Sequence, residues 1–277
     1  MTNDKQTTLP IHSSVIKKEQ CLKKFIATYK SLAIAYSGGV DSTYLASVAY
    51  DVLGSGAKLV LADSPSIPRR EVSEARLTAE QRHWPLEIIK TQEFTQEKYL
   101  QNDSARCYFC KSELFSVLSE YASKHDIKYL AYGAILDDLL DHRPGAKAAQ
   151  EFSVLAPLQE AGLTKENIRQ LSQQRDLPTW NKASMACLSS RFPRGQSIDI
   201  ETMARIEQAE DFLYALGFSQ FRVRHHDELC RIEINEDEFA RLSENDLRSQ
   251  MALKLKSLGW RWVSMDLEAY RQGSTSG

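Results

Sequence analysis

Apolar and polar positions recur along this chain with two periods, and the period switches repeatedly. Val15, Leu22, Phe25, Ile26 and Tyr29 fall on one side of a 3.6-residue repeat, which predicts a helix over 15–30. Leu32 to Tyr36 (LAIAY) is then continuously apolar and ends in Ser-Gly-Gly, the pattern of a buried strand entering a turn. Residues 40–53 read as a helix and 58–62 (KLVLA) as a second strand. Pro68 suits the first turn of a further helix, where its missing N–H costs nothing. A third strand follows at 86–90 (LEIIK), helices at 93–101 and 109–125, a fourth strand at 128–133 (KYLAYG) and a short fifth at 152–156. Thr164 is placed to N-cap a helix over 164–175, with Asn167 three residues on. Strands alternating with helices predict an α/β fold built on a parallel, doubly wound sheet.

The pattern changes near Gly195. Met203, Ile206, Phe212, Leu213 and Leu216 mark an amphipathic helix over 201–216, and 221–234 alternates as a β-ribbon does. A helix over 236–258 and a strand over 260–267 complete a small α+β domain. The expected division is 1–194 and 195–277, with the tail 273–277 disordered.

Composition narrows the function classes. Of 277 residues, 42% are hydrophobic and 26% charged, ordinary for a globular protein. No run is long and apolar enough to span a bilayer, and Met1 to Pro10 lacks the apolar stretch of a signal peptide, so the expectation is a cytoplasmic protein without membrane contact. A net charge of −2 argues against a broad nucleic-acid surface but allows a local basic pocket. The five cysteines are odd in number and follow no secretory signal, which favours metal or redox use over a disulfide framework.

Ser37-Gly38-Gly39-Val40-Asp41-Ser42 lies between a predicted strand and a predicted helix. The glycines permit a tight turn and let backbone N–H groups approach an oxyanion, and the helix N-terminus adds its positive dipole end. Ser37 and Ser42 supply hydroxyls. A carboxylate is out of place at a plain anion site, so Asp41 is read as a ligand for Mg²⁺ or as a loop-orienting group. This string resembles the PP-loop of the ATP pyrophosphatases, which include GMP and NAD synthetases, argininosuccinate synthetase and tRNA thiolases. That resemblance implies a Rossmann-like domain whose loop holds the pyrophosphate of ATP while a carbonyl oxygen is adenylylated.

Cys107 and Cys110 form a CxxC at the start of a predicted helix, flanked by Arg106 and Lys111, which favour thiolate. Cys187 sits in MACLSSR, a stretch with no regular period, hence a loop. Four readings stay open here: an iron–sulfur cluster with one open iron, a zinc site needing a fourth ligand such as a histidine or Cys230, a redox pair at Cys107 and Cys110, or buried cysteines acting as small hydrophobes. Cys230 shares an alternating face with Ile232 and Ile234, and Cys21 lies one turn before Phe25; both read as core positions. Arg222 and Arg224 alternate onto one face of the ribbon, where guanidinium forks suit phosphate, and Arg191 and Arg194 flank the Cys187 loop. His225 and His226 do not make a ligand set by themselves.

Several stretches together resemble the LarE family, sulfur transferases of nickel-pincer nucleotide synthesis: SGGVDS (37–42), SPSIPRRE (64–71), ARCYFCK (105–111), DDLLDHRPG (137–145), APLQEAGLTKENIR (156–169), LPTW (177–180), ACLSSRFPRG (186–195), FRVRHH (221–226) and DLEAYRQG (266–273). They run nearly full length and in order. The resemblance implies that ATP adenylylates a carboxylate of a pyridinium-3,5-dicarboxylate mononucleotide and that sulfur then displaces AMP, giving a thiocarboxylate. It implies Ser37, Gly38, Gly39, Asp41, Ser42 and Gly133 at ATP, Asp41 and Cys187 as catalytic, and Arg222, Arg224 and Arg191 at the substrate phosphate. Cys187 aligns with the sulfur-bearing cysteine, sacrificial in some members. Cys107 and Cys110 resemble those of members that hold a 4Fe–4S cluster on three cysteines and relay added sulfide. A homo-oligomer is implied, with sulfide or another sulfur donor and no nucleic acid. One departure stands out: the family commonly has Thr-Asn-Ala after Gly133, where this chain has Ala134-Ile135-Leu136. The competing reading is a tRNA thiolase, which also joins a PP-loop to clustered cysteines.

Overall fold

The computed structural model describes residues 11–140, 144–184 and 186–271. The N-terminal stretch, the middle of the 137–145 motif, Met185 and the tail after Arg271 lie outside the described residues. The chain forms two compact units: Met1–Asp63, Arg69–Thr91 and Cys107–Ser184, and Ser64–Pro68, Gln92–Arg106 and Met185–Gly277. No helix among the described residues is long and apolar enough to cross a membrane.

The first unit runs α1 (Ser13–Ile26), β1 (Leu32–Ala35), α2 (Val40–Leu53), β2 (Ala57–Asp63), α3 (Arg69–Gln81) and β3 (Leu86–Lys90). After α4 (Glu97–Leu100), which belongs to the second unit, come α5 (Arg106–Lys124), β4 (Leu130–Tyr132), α6 (Pro144–Glu151), α7 (Pro157–Glu160) and α8 (Lys165–Gln174). The four strands form one parallel sheet in the order β3-β2-β1-β4. Alternation along β1 sends Leu32 and Ile34 into a core with residues of α1, α2, α3 and α8, while Ala33 faces Phe115, Leu118 and Ala122 of α5. Both faces are therefore covered, as parallel sheets require.

Two elements differ from the expected pattern. At 152–156 only an isolated parallel bridge joins Leu155 to Ala131. Phe152 and Val154 donate their N–H groups to Ala148 and Ala149 at the end of α6, and Pro157 opens α7, so a single residue is left to pair. Residues 236–258 divide into a 3₁₀ segment, Glu236–Ser243, and α10 (Asn245–Ser257), because Glu244 is extended. Thr164 and Asn167 make the reciprocal capping box at α8.

The second unit adds α9 (Ile200–Ala215), β5 (Phe221–His226), β6 (Leu229–Ile234) and β7 (Trp262–Met265). β5 and β6 form an antiparallel hairpin turned at Asp227, whose φ is +52°, and β7 returns parallel to β6 through α10. Met203, Ile206 and Leu213 of α9 pack with Val223, Cys230, Ile232, Ile234 and Trp260. Cys230 is thus a core residue, its thiol pushed up to about 12 by burial. Cys21, by contrast, is exposed on α1.

Candidate functional site

In the first unit, β1 delivers the chain into the glycine turn. Tyr36 is buried, donates its hydroxyl to Ala75 O at 3.2 Å and is pushed up to about 12 by burial. Gly38 has φ +69°, and a Cβ there would lie 2.5 Å from the Ala75 Cβ, so the position excludes any other residue. The Ser37 and Ser42 hydroxyls meet at 3.0 Å, and the Ser37 and Gly39 N–H groups donate to Ser42 Oγ and Ser37 Oγ at 3.2 and 3.4 Å. Gly39 precedes α2 as its N-cap and offers no side chain to cap it, which leaves the first-turn amides for an anion. Gly133 closes the wall from β4: a Cβ there would sit 2.9 Å from Ser42 N and 3.2 Å from the Asp41 carbonyl carbon.

Asp41 Oδ2 accepts from Lys165 Nζ at 2.5 Å, while its Oδ1 is buried without a hydrogen-bond partner. Burial raises its pKa against the pull of Lys165. An orphaned carboxylate oxygen beside a phosphate-type turn is what a hard divalent cation completes, so Asp41 fits Mg²⁺. Lys165 escapes a sequence reading because a lysine at a helix start looks solvated; the only signal is the capping box, which fixes where α8 begins. Ala134 and Ile135 are buried and Ile135 joins the core, so this wall is apolar where the family is commonly polar.

In the second unit, the Cys187 loop is held by guanidinium groups and by an earlier segment. Arg191 donates to Ala186 O (2.8 Å), Cys187 O (3.1 Å) and Ser190 Oγ (2.9 Å), Arg106 to Ser189 O (2.8 Å), and Arg224 to Ser190 O (2.8 Å). The Leu188 N–H donates to Ser66 O at 2.8 Å. Ser64 and Ser66 in turn donate to the buried Glu93.

The family resemblance implies Arg191 at the substrate phosphate. In the structure its side chain is wholly enclosed, with Nε and Nη2 each 2.8 Å from a carboxylate oxygen of Glu210 on α9. Glu210 sits below its ordinary value: burial raises it, but Arg191 and the Val223 N–H lower it further. Arg224 pairs with Glu233 in the same two-pronged way. Arg222 lies 4.5 Å over the Tyr270 ring and donates to the Tyr270 hydroxyl at 2.9 Å. Burial and the nearby Arg191 charge lower its pKa, so added negative charge is favoured there. His225 Nδ1 accepts from Trp260 Nε1 at 3.1 Å, a core hydrogen bond that gives it a structural role.

Cys107 and Cys110 stand one turn apart at the start of α5, exposed and partly buried respectively, and Cys187 is partly buried ahead of the 3₁₀ turn Leu188–Arg191. No disulfide links the five cysteines, and among the described residues no group of three His, Cys, Asp or Glu side chains is already gathered for a metal ion. Three thiols are the donor type that iron–sulfur clusters take.

No family model matches the chain. It is, however, 32% identical over 266 residues to pyridinium-3,5-bisthiocarboxylic acid mononucleotide synthase of Lactiplantibacillus plantarum, an alignment covering 94% of each protein. The chain belongs to the LarE family. An uncharacterized protein of Synechocystis sp. is 39% identical over 256 residues, 92% of this chain and 96% of its own length. A glutamine-hydrolyzing GMP synthase component of Saccharolobus islandicus is 28% identical over 173 residues, 57% of this chain and 46% of its own length. The first unit thus carries the PP-loop fold shared by the wider superfamily, and the LarE relationship extends through both units.

Proposed function

We propose that the protein is an ATP-dependent sulfur transferase that converts the carboxylates of a pyridinium-3,5-dicarboxylate mononucleotide to thiocarboxylates, for nickel-pincer nucleotide synthesis. The observation that carries this reading is the 32% identity, over nearly the full length of both proteins, to the Lactiplantibacillus plantarum synthase. The intact SGGVDS turn supports it. A substrate carboxylate oxygen attacks the α-phosphorus of ATP, and pyrophosphate leaves. A sulfur nucleophile then attacks the acyl carbon, and AMP leaves with the bonding electron pair.

The residues have distinct tasks. Ser37, Gly38, Gly39 and Ser42 present amides and hydroxyls to the pyrophosphate, and Gly133 keeps the opposite wall close. Asp41 would hold Mg²⁺, which would neutralise charge on the leaving group, and Lys165 adds a second cation. Arg222 receives the substrate phosphate, and Arg224, whose guanidinium is bonded to Glu233 and Ser190 O, acts on it through its field. Arg191, neutralised by Glu210, shapes the Cys187 loop and acts on the phosphate only through its field. Cys187 is the sulfur-bearing residue. Cys107, Cys110 and Cys187 would hold a 4Fe–4S cluster, whose fourth iron would supply a binding position for added sulfide. The presence of the CxxC favours this catalytic use over consumption of the Cys187 sulfur.

The test is an anaerobic reaction with ATP, Mg²⁺, the dicarboxylated nucleotide and sulfide, read by mass spectrometry. Thiocarboxylate from the wild type and none from Cys187→Ala supports the assignment. ATP cleavage that requires tRNA, without thiolated nucleotide, transfers it to the tRNA thiolases.

A further inference from the structure

The segment 92–106 belongs to the second unit although it lies far upstream of the Cys187 loop in sequence. Its side chains grip that loop at both ends. Tyr99 Oη is 2.6 Å from Ser189 Oγ. Asn102 is wholly buried, with φ +53°; its Nδ2 donates to Pro193 O at 2.8 Å and Gln196 O at 3.1 Å, and its backbone carbonyl accepts the Gly195 N–H at 3.0 Å. Arg106 joins the two grips, since its Nη1 donates to Ser189 O at 2.8 Å and to Asn102 Oδ1 at 2.6 Å.

We propose that Arg106 is a positioning residue for Cys187: through Ser189 and Asn102 it sets where the loop 187–196 places the thiol. The proposal rests on the reading of Cys187 as the sulfur-bearing residue. A reacting or metal-binding sulfur has to be held within a few tenths of an ångström, and a loop outside helix and sheet has no ladder of its own to do that. Arg191 and Arg224 also bind loop carbonyls, but each is anchored on a carboxylate inside its own fold element pair. Arg106 draws on a buried amide that itself fixes the far end of the loop. Arg106 also directly precedes Cys107 in the chain. One residue is thus hydrogen-bonded to the loop of one proposed cluster ligand and covalently joined to another.

The test uses the full chain, as wild type, Arg106→Gln and Arg106→Lys. In metal-free protein, alkylation of each cysteine by iodoacetamide is followed by peptide mass spectrometry. Cys21, exposed, reports the reagent, and Cys230, fully buried, reports opening of the second unit. Arg106→Gln is expected to change the Cys187 rate about tenfold, with Cys21 and Cys230 unmoved. Arg106→Lys, which keeps a cation but ends one bond short of the Nη1 that serves both acceptors, should fall between. Iron per chain after anaerobic reconstitution should drop in parallel, and turnover to thiocarboxylate should fall with the KM for ATP unchanged. Equal Cys187 rates in wild type and Arg106→Gln overturn the proposal. If Arg106→Gln exposes Cys230, Arg106→Lys decides, and a wild-type Cys187 rate there overturns it too. A wild type that takes up no iron removes the cluster reading and leaves the alkylation result to judge Arg106.

Discussion

The Arg191–Glu210 pair offers a sharp test of how the Cys187 loop is built. Arg191 is completely enclosed and the Glu210 side chain is 5% exposed, with two parallel bonds of 2.8 Å between them. Glu210 Oε1 also accepts the Val223 N–H at 3.1 Å. Glu210→Gln keeps the shape and one acceptor but removes the charge that balances the guanidinium. Breaking a buried pair from one side costs about 3–5 kcal/mol, because the remaining charge stays enclosed. The retained amide oxygen places the expected loss near the lower end, about 3 kcal/mol. For a chain of this size that is a fall of roughly 6–12 °C in melting temperature. Differential scanning calorimetry at pH 7 measures it. A melting temperature within about 2 °C of wild type would refute the argument, since Arg191 could then not be as enclosed or as dependent on Glu210 as described.

Other outcomes follow from the same contacts. Gly38→Ala combines a left-handed backbone position with a Cβ 2.5 Å from that of Ala75, a cost of about 2–5 kcal/mol, so ATP binding by titration calorimetry should be lost even where the chain still folds. Asp41→Asn should lower Mg²⁺-dependent pyrophosphate release roughly a hundredfold, as measured in a coupled assay across Mg²⁺ concentrations. Acid should destabilise the second unit in two stages. Burial lowers the His225 pKa from 6.5, so its contribution is complete above that value and declines as the unfolded chain takes up the proton below it; Glu210 is lowered from 4.5, so its contribution is present above that value and lost as pH falls further. Urea midpoints measured from pH 8 to 4 should fall below 6.5 and fall more steeply below 4.5.

The phosphate turn is legible in the sequence because its chemistry is contiguous: strand, two glycines, a carboxylate and a helix start lie within a dozen residues. The Cys187 loop is legible only as an interruption of periodicity. What completes each site comes from far along the chain. Lys165 reaches Asp41 across 124 residues of sequence, and nothing in TKEN distinguishes it from a solvated lysine. Glu210 occupies a polar position of an amphipathic helix, where a carboxylate ordinarily faces water, so Arg191 looks available for a ligand. Residues 64–68 and 92–106 join the second unit through side-chain and backbone bonds that leave no periodic mark. The expected fifth strand fails for a local reason, since helix hydrogen bonds on one side and Pro157 on the other leave Leu155 alone to pair.

The central claim is tested most directly by counting sulfur atoms. Wild-type protein, reconstituted anaerobically, is given ATP, Mg²⁺, the dicarboxylated nucleotide and excess sulfide, and both the product and the Cys187 peptide are weighed by mass spectrometry. The account predicts many thiocarboxylates per chain with Cys187 unchanged in mass. At most one sulfur per chain, with Cys187 lighter by the mass of H₂S, would contradict the cluster-based route, and no thiolated nucleotide at all would contradict the sulfur-transferase assignment itself.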